Sequence, residues 1–119
     1  MKKTILVVDD FEVNAFVAKE ALQHDYDVVT ANSGKEALKL MDEVKVDLVL
    51  LDIDMPDMDG FETFEAMKAH KNYFGVPVIF LTVTHLEDTE FKGRLLGAVD
   101  YITKPYCAIT LRERVELYL

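Results

Sequence analysis

An α/β fold is predicted for this chain: one doubly wound, five-stranded parallel sheet with helices on both faces. Three observations predict it. Five short apolar runs alternate with longer segments of helical period. The runs are near-continuously apolar rather than strictly alternating, as in strands covered on both faces. Strand–helix alternation of this kind builds right-handed crossovers and a single layered sheet. At 119 residues, half of them apolar, the chain reads as one domain, 1–119, that buries roughly two-thirds of its unfolded surface.

The first run is Ile5-Leu6-Val7-Val8, followed by Val13, Phe16, Val17 and Ala21 at i, i+3, i+4 and i+8, the spacing of a helix packed along one stripe. The second run, Asp27-Val28-Val29-Thr30, leads to a capping box from Ser33 to Glu36 and then Ala37, Leu40, Met41 and Val44, which start and sustain a second helix. The third, Leu48-Val49-Leu50-Leu51, runs into an acidic loop that Gly60 closes before a third helix. A left-handed backbone and a plain turn are equal readings of that glycine. The fourth, Val78-Ile79-Phe80-Leu81, precedes the poorest helical segment, around 85–96, where Thr89 and Gly93 lower the propensity. The fifth, Val99-Asp100-Tyr101-Ile102, precedes a C-terminal helix marked by Leu111, Val115 and Tyr118.

Composition removes several function classes. A net charge of −9 repels phosphate backbones, so no direct nucleic-acid binding is expected, and basic partners are favoured. No run of about 18 apolar residues exists to span a membrane, and the apolar stretch after Lys3 is too short for a signal peptide. A cytoplasmic location is expected. The single cysteine, Cys107, excludes an internal disulfide and reads as a small, half-buried filler. His24, His70 and His85 show no ligand spacing and read as surface residues.

In open α/β sheets, ligands sit beyond the carboxyl ends of the strands. Asp9 and Asp10 follow the first run, Asp52 and then Asp54 the third, Thr82 the fourth, and Thr103, Lys104 and Pro105 the fifth. Any one aspartate could merely cap a strand end; five polar groups converging on one edge make a site. Two carboxylates about 5 Å apart repel by about 3 kcal/mol at an effective dielectric of about 20. Three of them call for a cation, and an all-oxygen donor set selects a hard one such as Mg²⁺. That ion keeps open positions for water and phosphate oxygens, so the site is completed by a phosphoryl group. Asp52 is then the expected nucleophile, forming an acyl phosphate. Asp10 would bind the metal directly, Asp9 through water or as a second ligand, and the Asp54 carbonyl would add an oxygen. Thr82 and Lys104 would bind the phosphoryl oxygens.

Four stretches together resemble the receiver domain of bacterial two-component response regulators: Val7–Asp10, Leu51–Gly60, Leu81-Thr82 and Gly97–Pro105. The resemblance spans the whole chain. It implies a flavodoxin-like (βα)5 sheet of order 2-1-3-4-5, and a phosphoryl group delivered from the phosphohistidine of a sensor histidine kinase or a histidine phosphotransfer protein. The domain would catalyse its own phosphorylation and slow autodephosphorylation without being a turnover enzyme. A cis Lys104–Pro105 bond is implied, as is a switch pair of Thr82 and Tyr101. The ring would fill space the hydroxyl leaves, altering a fourth-helix, fifth-strand and fifth-helix surface that controls a downstream protein target.

Several positions depart from the family. Val83 stands where Ala or Gly is usual and would narrow the approach to Asp52. Thr84 and Asp54 occupy positions that the family varies to set phosphoryl lifetime, and Cys107 stands where a capping Asp is common. Three rival readings remain: a degenerate receiver acting as a constitutive interaction module, a haloacid dehalogenase-type phosphatase reading Asp52-Ile53-Asp54 as its motif, and a flavin-binding protein. The phosphatase motif belongs after a first strand rather than a third. A flavin phosphate would meet acidic residues at Asp9–Glu12 instead of a neutral loop.

Overall fold

The computed structural model describes residues 2–83, 92–94 and 96–119. Five parallel strands form one sheet: β1 (Thr4–Val8), β2 (Asp27–Ala31), β3 (Leu48–Asp52), β4 (Val78–Thr82) and β5 (Asp100–Thr103), in the order β2-β1-β3-β4-β5. Helices α1 (Glu12–Leu22), α2 (Gly34–Glu43), α3 (Gly60–Lys68) and a C-terminal helix (Ala108–Tyr118) flank it. The weak segment expected around 85–96 is helical at 92–94 and 96; its residues 85–91 and 95 lie outside the described residues. Among the described residues no helix is long and apolar enough to cross a membrane.

The period of two along each strand divides the core. Leu6, Val8, Val49, Leu51 and Phe80 pack with Met41, Phe64 and Met67 of α2 and α3. Ile5, Val7, Leu48, Leu50, Ile79 and Leu81 pack with Ala18, Leu22, Leu111 and Val115 of α1 and the C-terminal helix. β3 and β4 are buried throughout, as their apolar runs require. β2 is an edge strand in which Ala31 alone is buried, so the two-sided burial expected of all five runs does not hold there.

Helix α1 corrects the expected stripe. Val13 is 57% and Phe16 64% exposed, while Ala18, Ala21 and Leu22 face the core. Apolar residues nearly encircle this helix, so periodicity does not choose a face; small alanines let it approach the sheet closely, and they win. In α2 the cap is half as expected: Ser33 Oγ accepts from Glu36 N at 3.1 Å, but the Glu36 carboxylate reaches Asn32 N instead. A complete capping box forms at α3, between Asp59 and Glu62. Gly60 is not left-handed. A Cβ there would lie 2.5 Å from the Asp52 carbonyl oxygen, so glycine lets α3 begin against the end of β3. The left-handed residue of the loop is Asp57, at φ 69°.

Candidate functional site

The strand order reverses between β1 and β3, which opens a crevice at their carboxyl ends. Asp52 is the last residue of β3. Asp9 follows β1, its N–H still bonded across to Ala31 O at 3.0 Å. Val8 pairs with Leu51, which sets Asp9 and Asp52 side by side on the next rung. Both are 1% exposed, whereas Asp10 is exposed. One carboxylate oxygen from each of Asp9, Asp10 and Asp52 lies within 4.8 Å of the others.

Lys104, just past β5, reaches in from the far side. Its Nζ lies 2.9 Å from Asp52 Oδ1 and 3.1 Å from Asp9 Oδ2. Its own N–H donates to Thr82 O at 2.7 Å, and the Lys104–Pro105 bond is cis. Main-chain groups complete half of each buried carboxylate: Phe11 N donates to Asp9 Oδ1 at 3.0 Å and Asp54 N to Asp52 Oδ1 at 3.2 Å. The other half is incomplete. Among the described residues, Asp52 Oδ2 and Asp9 Oδ2 are buried without a geometrically satisfied hydrogen bond; the Lys104 ammonium meets Asp9 Oδ2 as an ion pair. An unsatisfied buried acceptor costs about 1–3 kcal/mol, and more when charged.

Burial, the largest influence, pushes the Asp52 carboxyl up from 3.8 to about 7; the Lys104 hydrogen bond opposes the rise and the Asp9 charge adds to it. Burial pulls the Lys104 ammonium down, but Asp52 and Asp9 outweigh it and leave its pKa raised. One ammonium faces three carboxyl groups, so full charge on all three would leave two negative charges uncompensated. Bare oxygens, an oxygen-only donor set and a charge of that size fit a divalent hard cation.

The remaining expected residues lie around this cluster. Thr82 ends β4, buried and paired in register with Thr103. The Asp54 carboxylate is exposed; this residue meets Asp52 through its N–H. Val83 is exposed, and Thr84 and His85 lie outside the described residues. Tyr101 pairs with Phe80 in register, its ring 5.9 Å from the Phe80 ring and only 6% of the residue exposed. Its hydroxyl lies where a Cβ on Gly93 would stand. The glycine that weakens the fourth helical segment is therefore the one that admits this ring.

Two minor expectations are corrected. Cys107 is exposed, not half-buried, and starts the C-terminal helix without a side-chain cap. His70 is no plain surface residue: Nε2 lies 2.8 Å from Asp42 Oδ1, and Nδ1 accepts from Asn72 N at 3.0 Å. Sequence reasoning passed over Tyr106, whose phenol donates to Asn14 O at 2.9 Å, and the exposure of Phe11, Val13 and Phe16 beside the acidic pair. The signal available for Tyr106 was its place two residues after Lys104. A groove of about 320 Å³ lined by Asp9, Glu12, Phe16, Lys19 and Glu36 adjoins the site.

Comparison with known proteins gives consistent results. The family model for the response regulator receiver domain matches residues 5–116. A probable cyclic di-GMP phosphodiesterase of Vibrio cholerae is 41% identical over 98% of this chain and 26% of its own length. The alkaline phosphatase synthesis transcriptional regulatory protein PhoP of Bacillus subtilis is 39% identical over 100% of this chain and 49% of its own. The chain thus spans half or less of these relatives. Among solved structures, chemotaxis protein CheY4 of Vibrio cholerae superposes with a TM-score of 0.95 at 29% identity over the full length of both chains. The receiver domain of sensor histidine kinase PA1611 from Pseudomonas aeruginosa, solved with a magnesium ion in its active-site cleft, gives 0.87 at 27% identity, covering 99% of this chain and 98% of that one.

Proposed function

This chain belongs to the response regulator receiver domain family, and from that premise we propose that it is a phosphorylation-operated switch whose acceptor is Asp52. The observation that carries the proposal is the bare, buried Asp52 Oδ2 at the rim where β1 and β3 part. A carboxylate oxygen with no hydrogen-bond partner among the described residues, in a cluster short of positive charge, is both a ligand atom and a nucleophile. Asp52 attacks the phosphorus of a phosphohistidine; the new O–P bond forms as the N–P bond breaks, and the imidazole leaves with the electron pair. Attack by water on the same phosphorus later releases phosphate and restores the carboxylate.

Asp9, Asp10 and Asp52, with the Asp54 carbonyl, would hold Mg²⁺, which when bound neutralises charge on the carboxylates and phosphoryl oxygens. Lys104, already paired with Asp52, moves its ammonium to the phosphoryl oxygens. Thr82 donates its hydroxyl to them from the end of β4. That movement couples to Tyr101, two residues along the neighbouring strand on the same sheet face, and through it to the surface formed by β5, the C-terminal helix and the helical segment around Gly93. A downstream protein reads that surface. The donor is a sensor histidine kinase or histidine phosphotransfer protein, and the exposed Phe11, Val13 and Phe16 next to Asp9 support a protein partner landing there. A cytoplasmic location follows from such a donor.

Incubation with Mg²⁺ and acetyl phosphate, read by intact mass, should add one phosphoryl group to the wild type and none to Asp52→Asn. Label that survives in Asp52→Asn would refute the acceptor. Absence of label in the wild type, with acetyl phosphate and with a phosphohistidine donor alike, would leave a constitutive module in its place.

A further inference from the structure

We propose that Tyr106 is a positioning residue for Lys104, pinning the loop that carries the lysine to the first turn of α1 and so setting how the ammonium meets Asp52 and Asp9. Tyr106 stands between β5 and the C-terminal helix, two residues beyond Lys104. Its hydroxyl donates to the main-chain carbonyl of Asn14 at 2.9 Å, joining points 92 residues apart in the chain. Its partly buried ring packs against the core on the α1 side of the sheet.

The partner of that bond matters as much as the bond. Asn14 lies in the first turn of α1, and Phe11, immediately before the helix, donates its N–H to Asp9 Oδ1 at 3.0 Å. The phenol therefore ties the loop bearing the cation to the helix that follows the acidic pair. At its near end the same loop is held by Lys104 N–H on Thr82 O at 2.7 Å. With both ends fixed, a long, flexible side chain starts from a defined point and spans the two carboxylates at 2.9 and 3.1 Å. Burial raises the Tyr106 pKa, and the charges of Asp9 and Asp52 add to it, so the hydroxyl remains a protonated donor throughout the neutral range.

A ring that served packing alone would do so equally well as phenylalanine, which makes the hydroxyl the discriminating atom. The test is Tyr106→Phe in the full chain. Its rate measurement rests on the phosphoryl-acceptor reading; its resonance measurement does not. In metal-free protein the ¹⁵N signals of the Lys104 ammonium and amide should shift. With Mg²⁺ and acetyl phosphate, labelling of Asp52 should slow by about fivefold, since misplacing a catalytic group by about 1 Å costs up to about a hundredfold. The Mg²⁺ dissociation constant should stay within about twofold, because its side-chain ligands come from the ends of β1 and β3, not from this loop. Unchanged Lys104 signals would overturn the proposal, and so would an unchanged rate in a wild type that labels. A parallel loss of Mg²⁺ affinity and rate would overturn it too, by showing general loosening. A shift of the Lys104 signals in a protein that takes no label at all would uphold the positioning role and sink the acceptor reading instead.

Discussion

Asp52 and Asp100 are both strand carboxylates, and the fold treats them in opposite ways. Asp100 opens β5 at its amino end, partly exposed. Its Oδ1 accepts from Arg114 at 2.7 Å and from Tyr101 N at 2.7 Å, and its Oδ2 from the Tyr118 hydroxyl at 3.1 Å. Asp52 closes β3 at the carboxyl end, fully enclosed, with one oxygen bare and a pKa driven upward. The saturated carboxylate fastens β5 to the C-terminal helix. The unsaturated one holds an electrostatic cost in reserve, which a cation or a phosphoryl group relieves. Residue type is the same; the difference lies in which end of the sheet each occupies and what arrives to meet it.

The largest effect that separates them is pH dependence without metal. Because the folded pKa of Asp52 lies above its unfolded value of 3.8, the native state keeps a proton the unfolded chain has lost. Stability from this source is intact below about pH 4, falls as pH rises toward about 7, and is lost above that, a change of about 4 kcal/mol at about 1.4 kcal/mol per unit. Urea unfolding in EDTA at pH 5 and pH 8 should show Asp52→Asn gaining on the wild type as pH rises, and millimolar Mg²⁺ should shrink that gain. A gap that ignores pH would place Asp52 in the same class as Asp100.

Next in size is Lys104→Met. Removing the ammonium that faces two buried carboxylates should cost about 3 kcal/mol at pH 8 without metal, with part recovered by Mg²⁺. Denaturant midpoints with and without the ion measure both. The smallest effect belongs to Asp100→Asn. Arg114 is 40% exposed at this pair, so solvent screening limits the loss to about 1 kcal/mol, and labelling of Asp52 should proceed at the wild-type rate. A large loss of labelling would show that Asp100 takes part in the chemistry after all.

Much of this molecule was legible from its residues. The five apolar runs became the five strands, each within a residue of the expected limits: Thr4, Ala31, Asp52, Thr82 and Thr103 extend them at one end, and Val99 falls outside the fifth. Asp9, Asp10, Asp52 and Lys104 meet at one rim as their positions after the strands predicted. The stripe of α1 was misread because Val13 and Phe16 satisfy helical spacing as well as Ala18 and Leu22 do, and only contact with the sheet distinguishes them. Gly60 was read equally as a left-handed residue or a plain turn, whereas close approach to β3 explains it.

Local chemistry settled what neighbouring residues can decide between themselves: where the chain extends, where it coils, and which polar groups follow each strand. Period and propensity act over a few residues, so these features are written in the chain directly. The tertiary structure alone decided the rest, because it depends on atoms brought together from distant positions. Such are the bare oxygen on Asp52, the lysine bridging two carboxylates, the tyrosine seated over Gly93, and the phenol of Tyr106 on the carbonyl of Asn14. Burial and satisfaction of a polar group are properties of its surroundings, and surroundings exist only once the sheet has closed.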